Sequence, residues 1–124
     1  MSASGNGTPK FAHPSEEEFA NLLDYYGIRW KYEPREFVLE EDEEGNLVEA
    51  FAPDFYLIDF GLFIELTTAM QKHIAYKRRK VRRLRERYPD VNIKLLTRRD
   101  FLRMLDKYGL EGEEEDLIGK DALD

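Results

Sequence analysis

The chain of 124 residues contains no cysteine. Disulfides, thiolate zinc sites and cysteine nucleophiles are excluded with it. His13 and His73 are its only histidines, too few for a multi-histidine metal centre. No apolar run approaches the roughly 18 residues of a membrane span. The opening stretch, MSASGNGTPK, lacks the apolar segment of a secretion signal. A cytoplasmic protein without a membrane partner is the expectation. What is present is a hydrophobic share of 42% and an aromatic share of 13%, enough for one small core.

Positive charge is scarce over most of the chain and crowded into one part of it. Residues 72–107 carry 14 Lys and Arg against Glu86, Asp90, Asp100 and Asp106, a local balance of +10. The remainder stands at -17, which the overall net charge of -7 conceals. Nine of the cations fall between Lys72 and Arg87. Segregation of this size points to a polyanion-binding face beside acidic loops and tails. The alternative is a solvated helix face.

The Gly/Ser-rich residues 1–13 read as a disordered lead-in. Pro14, Ser15 and Glu18 have the spacing of a capped helix start, and Phe19, Leu22, Leu23 and Tyr26 follow at helical intervals up to Gly27. Ile28, Trp30 and Tyr32 alternate with charged residues as in a half-buried strand. Phe37 to Leu39 extend the sheet, and the acidic turn Glu40 to Asn46 closes a hairpin through Gly45-Asn46, with Leu47 to Ala52 returning. Two apolar segments, Phe55–Ile58 and Leu62–Leu66, flank Asp59-Phe60-Gly61. A long helix capped by Thr67 or Thr68 runs to about Tyr88 and ends at Pro89-Asp90. Val91 to Leu96 form a strand, and a short helix capped by Thr97 and Asp100 stops at Gly109. The fold class is α/β (α+β) in the order α-β-β-β-α-β-α, a mixed sheet flanked by helices. Residues 14–109 form one domain, and 110–124 an acidic tail.

Asp54 opens one strand and Glu65 lies near the end of the next. A tight hairpin brings the two carboxylates together, and with a backbone carbonyl they offer the hard oxygen donors that Mg²⁺ or Mn²⁺ prefers. Glu65 is the sharper clue, since a carboxylate inside Leu62-Phe63-Ile64-Glu65-Leu66 is costly unless something pairs it. By itself, a strand glutamate more often faces solvent.

Pro53-Asp54 followed by Glu65-Leu66-Thr67 resembles the PD-(D/E)xK nuclease superfamily. The helix before it and the basic helix and strand after it agree with that layout, which is similar to phage Holliday-junction resolvases and small restriction-like endonucleases. The likeness spans Pro14 to Leu105. It implies a restriction-endonuclease-like αβββαβ core. It also implies metal ligation by Asp54, Glu65 and the Leu66 carbonyl, and a supporting acid on the first helix, Glu16 or else Glu17. Thr67 stands where the family has its lysine.

A substitute cation is available on the long helix. Met70, Ile74, Val81, Leu84 and Tyr88 share one face, and Lys77 falls in the same stripe. Lys77 pointing toward the carboxylates would take over part of the missing lysine's role. Gln71 and Lys72 are alternatives nearer the helix start, and a snorkelling Lys77 is the plain one. Lys72, Arg78, Arg79, Lys80, Arg82 and Arg83 are the expected nucleic-acid contacts, through phosphates rather than base edges. Tyr76 is expected to pack and His73 to lie on the surface.

The leading expectation is a Mg²⁺- or Mn²⁺-dependent nuclease-like domain on the DNA backbone, with a second copy or a larger protein as a further partner. The runner-up is a catalytically silent relative that binds nucleic acid or protein. Similar small domains are also associated with purine phosphoribosyltransferases. Transferase chemistry itself needs an acidic pair leading into a Thr-Gly or Ser-Gly phosphate loop, which this chain lacks.

Overall fold

The computed structural model describes residues 10–68 and 71–108, without the side chains of Gln71, Lys72 and Tyr108. Most of the expected lead-in, Met70 of the apolar stripe, the Gly109 stop and the acidic tail lie outside the described residues. No described helix is long and apolar enough to cross a membrane.

Helix α1 covers Pro14–Tyr25. It begins two residues earlier than the capping pattern suggests: His13 rather than Ser15 is the N-cap, no side chain caps it, and Pro14 takes the first helical position. Proline suits that place because its ring presets φ and no amide is left unbonded. Ser15 and Glu18 therefore make no capping box. Gly27 ends the helix at φ 71°, with Ile28 N–H donating back to the Leu23 carbonyl at 2.9 Å.

Strand β1 (Trp30–Tyr32) follows, then β2 (Phe37–Glu41), β3 (Leu47–Phe51), β4 (Phe55–Leu57) and β5 (Leu62–Leu66). After helix α2 (Gln71–Arg87) come β6 (Ile93–Leu96) and helix α3 (Arg98–Tyr108). The strands divide into a four-stranded sheet of order β1-β4-β5-β6 and a separate β2-β3 hairpin. β5 and β6 run parallel, joined by α2, and the other pairs are antiparallel. The hairpin turn closes through Gly45 at φ 86°, with Asp42 N–H bonded to the Asn46 carbonyl at 2.9 Å. Gly45 alone of the expected pair adopts positive φ.

All five residues of β5 are buried, as a central strand covered on both faces requires. Its period of two sorts them between two cores. Leu62, Ile64 and Leu66 join Phe19, Leu23, Phe55, Leu96 and Phe101, the layer of α1 and α3. Phe63 joins Phe37, Phe51, Val81, Leu84 and Ile93, the layer of α2 and the hairpin. Phe55 anchors the first core, with Phe19 and Trp30 rings at 5.1 and 5.7 Å. The Trp30 indole N–H donates to Asp24 Oδ1 at 2.8 Å, which ties β1 to the end of α1.

The expected cap pair at the last helix forms in both directions. Thr97 N–H donates to Asp100 Oδ2 at 3.1 Å, and Asp100 N–H to Thr97 Oγ1 at 3.0 Å. At the preceding helix the cap expected from Thr67 or Thr68 would meet residues 69–70, which lie outside the described residues. Thr67 N–H donates to the Leu96 carbonyl at 2.9 Å, so Thr67 prolongs the β5–β6 ladder, and α2 is described from Gln71.

Candidate functional site

The β4–β5 register pairs Phe55 with Ile64, and one step further sets Asp54 opposite Glu65. Here side chains take over from the ladder. Asp54 N–H donates to Glu65 Oε1 at 3.2 Å, and Leu66 N–H donates to Asp54 Oδ2 at 3.0 Å. Both residues are buried, Asp54 at 7% and Glu65 at 6% exposure. Burial raises the Asp54 carboxyl to about 6, against the Leu66 N–H that favours its charged form. Burial, then the neighbouring Asp54 charge, pushes Glu65 to about 8. Each carboxyl is short of positive charge.

Lys77, on the second turn of α2, supplies some. Its ammonium donates to the Leu66 carbonyl at 2.6 Å and lies 3.5 Å from Glu65 Oε2. Val81 and Leu84 are buried further along the same stripe, which turns Lys77 toward the sheet. Thr67 is itself buried at the end of β5. The backbone of Gln71 and Lys72 belongs to α2, but their side chains lie outside the described residues.

On α1, Glu16 is buried and Glu17 exposed. Glu16 Oε1 accepts the Tyr32 hydroxyl at 2.6 Å and the Ala12 N–H at 3.1 Å. Its charge is among the influences that raise Asp54. Burial and the bond to Glu16 raise the Tyr32 hydroxyl. Two neighbours escaped the sequence reading. Tyr32 looked like one apolar member of an alternating strand, yet it is what holds Glu16. Glu33 follows it with φ 45°, a conformation unusual for a side-chain-bearing residue, and its N–H donates to the Asp54 carbonyl at 2.8 Å. The signal available was its place between a strand and Pro34.

The donor chemistry suits a hard divalent cation: two carboxylates whose ionised forms burial penalises, beside the Leu66 carbonyl oxygen. Among the described residues no group of three or more His, Asp or Glu side chains could hold an ion, so the carbonyl is needed to complete even a three-donor set. Lys77 engages two of those three donors.

The basic helix proves to have two different sides. Toward the hairpin, Arg79 Nη1 pairs with Glu49 Oε2 at 3.0 Å, and Arg83 reaches Glu49 at 3.4 Å and Glu40 at 3.5 Å. Arg87 pairs with Glu41 at 3.4 Å. Lys80 sits over the rings of Tyr76 and Phe51, at 4.7 and 5.5 Å. Tyr76 does not pack inward as expected; it is 54% exposed, while His73 is exposed as expected. On the other side Arg78 and Arg82 are exposed and line a cavity. The acidic hairpin thus occupies Arg79 and Arg83, two of the expected nucleic-acid contacts, and leaves Arg78 and Arg82 facing away from it.

Compared with known proteins, the chain matches no family model, no curated protein and no solved structure.

Proposed function

We propose that the protein is a nuclease-like domain of the PD-(D/E)xK kind that binds the phosphate backbone of DNA and hydrolyses phosphodiesters with Mg²⁺ or Mn²⁺. The observation that carries this reading is the apposition of Asp54 and Glu65 across neighbouring strands with Lys77 within 3.5 Å of Glu65. The order of elements supports it. With the β2–β3 hairpin taken as an insertion, α1, β1, β4, β5, α2 and β6 run in the αβββαβ order of a restriction-endonuclease-like core.

Asp54, Glu65 and the Leu66 carbonyl are the residues that would hold the ion. When bound, such an ion supplies polarisation of the phosphodiester and an activated water near neutral pH. The chain's own groups do the rest. Lys77 replaces the lysine absent at Thr67: its ammonium can turn from the Leu66 carbonyl to a phosphate oxygen or to the attacking water. Glu16, fixed by Tyr32, keeps negative charge near Asp54 and so favours a cation there. Arg78 and Arg82 contribute backbone affinity.

A second reading keeps the fold without the reaction, and the 2.6 Å bond from Lys77 to Leu66 favours it. There the ammonium neutralises the acids permanently, and the domain only binds nucleic acid or protein. Incubation of supercoiled and branched DNA with Mn²⁺ separates the two. Cleavage abolished alike by Asp54→Ala and Glu65→Ala supports the nuclease. Salt-sensitive binding with no cleavage under Mg²⁺ or Mn²⁺ supports the silent module.

A further inference from the structure

The C-terminal ends of the parallel strands β5 and β6 open between α2 and α3 into a cavity of about 280 Å³. Thr67 and Thr97 stand at its strand side, and Ile74, Val81 and Leu95 give it an apolar wall. Arg78, Arg82 and Arg85 reach it from α2, against a single acid, Asp100. That acid is already spoken for, since it accepts the Thr97 N–H at the start of α3. Arg85 is also anchored, donating to the Ile93 carbonyl at 2.6 Å.

Arg78 and Arg82 differ. They lie one turn apart on the cavity side, are exposed, and make no ion pair among the described residues, whereas Arg79, Arg83 and Arg87 each have a glutamate of the hairpin. Two unneutralised guanidiniums at the mouth of a partly apolar cavity favour a ligand with an anionic head and a flat, poorly hydrated body. Thr67, which lines this cavity, is two residues beyond Glu65 on the same strand. A second concavity, which Arg99 and the Arg98–Glu18 pair also line, is bordered by the same two threonines.

We infer that this cavity is a nucleotide subsite. Its arginines, Arg78 and Arg82, hold the phosphate, while Ile74, Val81 and Leu95 receive the base. The inference deepens the proposed function and rests on it for the identity of the strand, but the cavity itself is independent of the acid pair. A nucleoside phosphate reaches it either as one unit of a bound strand or as a free nucleotide.

The test is titration of the full chain with dAMP and with a short single-stranded oligodeoxynucleotide. Amide resonances of Thr67, Leu95 and Thr97 would be followed by NMR without divalent ions, and affinity measured by fluorescence anisotropy. Perturbation of those amides is expected, with about tenfold weaker binding in Arg78→Ala and in Arg82→Ala. Tyr25→Ala, exposed at the end of α1 and outside the cavity, is expected to bind as the parent does. Response to dAMP identifies the free nucleotide as sufficient, and response to the oligonucleotide alone identifies the strand; both support the subsite. Binding that ignores Arg78 and Arg82, or no perturbation at Thr67 and Thr97 with either probe, overturns it. Cleavage that still depends on Asp54 would then leave the nuclease reading standing without the subsite.

Discussion

The ammonium of Lys77 donates to the main-chain carbonyl of Leu66 at 2.6 Å, which makes a side chain the resident cation of the acid pair. A divalent ion seeking Glu65 and the Leu66 oxygen must displace it or share their charge with it. Two like charges about 4 Å apart near a protein surface repel by about 4 kcal/mol at an effective dielectric of 20. Lys77→Met is therefore expected to bind Mn²⁺ at least about tenfold more tightly than the parent, read by calorimetric titration. Mn²⁺ should also raise its melting temperature more than the parent's. Loss of DNA cleavage in the same variant would show that Lys77 serves the reaction as well as competing for the site. Equal Mn²⁺ affinity in the two proteins would remove the competition.

Burial of the acids sets the sign of the pH dependence. Because Asp54 and Glu65 are raised to about 6 and about 8, the folded protein holds protons that the unfolded chain has already released. Their contribution to stability is full below about pH 4 and is lost as pH climbs through those two values. The salt-bridged or hydrogen-bonded Asp42, Glu49 and Asp59 are lowered instead, and their contribution is lost only in stronger acid. Between about pH 5 and pH 9 without divalent ions, the melting temperature should fall by about 5 °C or more. Glu65→Gln, whose amide oxygen can still accept the Asp54 N–H, should flatten that slope and exceed the parent at pH 9. A parent curve that rises over this range would contradict the assignment.

Elements with a strong local signal were legible before the structure. Thr97 and Asp100 cap α3 as their spacing indicates, Gly27 and Gly45 turn the chain, and β5 is as buried as its apolar run implies. The start of α1 departs from its capping pattern because Pro14 fits the first helical position better than Ser15 fits the cap. The meeting of Asp54 with Glu65 could be anticipated from hairpin logic, since the register follows from the short connection after Leu57. The docking of the hairpin on α2 could not. Glu49 and Arg79 are 30 residues apart, and nothing local says which cations an acidic strand will meet. Tyr32 and Glu33 were hidden for the same reason, their importance lying in contacts to Glu16 and to Asp54 rather than in their own strand.

The hairpin's hold on α2 bears on DNA affinity. Glu49 engages Arg79 and Arg83 together, so one substitution frees Arg79 and leaves Arg83 with Glu40 alone. Glu49→Gln is expected to tighten DNA binding at low salt and to steepen the dependence of log K on log salt by up to about 2, since each newly made phosphate contact adds nearly one to the slope. Anisotropy titrations from 50 to 300 mM salt would show it. An unchanged slope would mean that DNA approaches only the Arg78 and Arg82 side.

Glu33 separates backbone strain from charge. At φ 45° a residue with a Cβ sits in the left-handed region, at a cost of roughly 1–2 kcal/mol relative to glycine's freedom there. The cost is sustained where Glu33 N–H reaches the Asp54 carbonyl, so the strained backbone fixes the strand end that carries the acid. Glu33→Gly and Glu33→Ala both remove the carboxylate that helps to raise Asp54. Only the glycine relieves the backbone. Glu33→Gly should therefore be more stable than Glu33→Ala by about 1 kcal/mol in urea denaturation, despite the greater entropy of its unfolded chain. Both variants should show a lower Asp54 titration midpoint by carboxyl NMR. If the alanine variant proves the more stable, Glu33 does not hold the left-handed conformation in solution, and the strand end at Asp54 is positioned by other contacts.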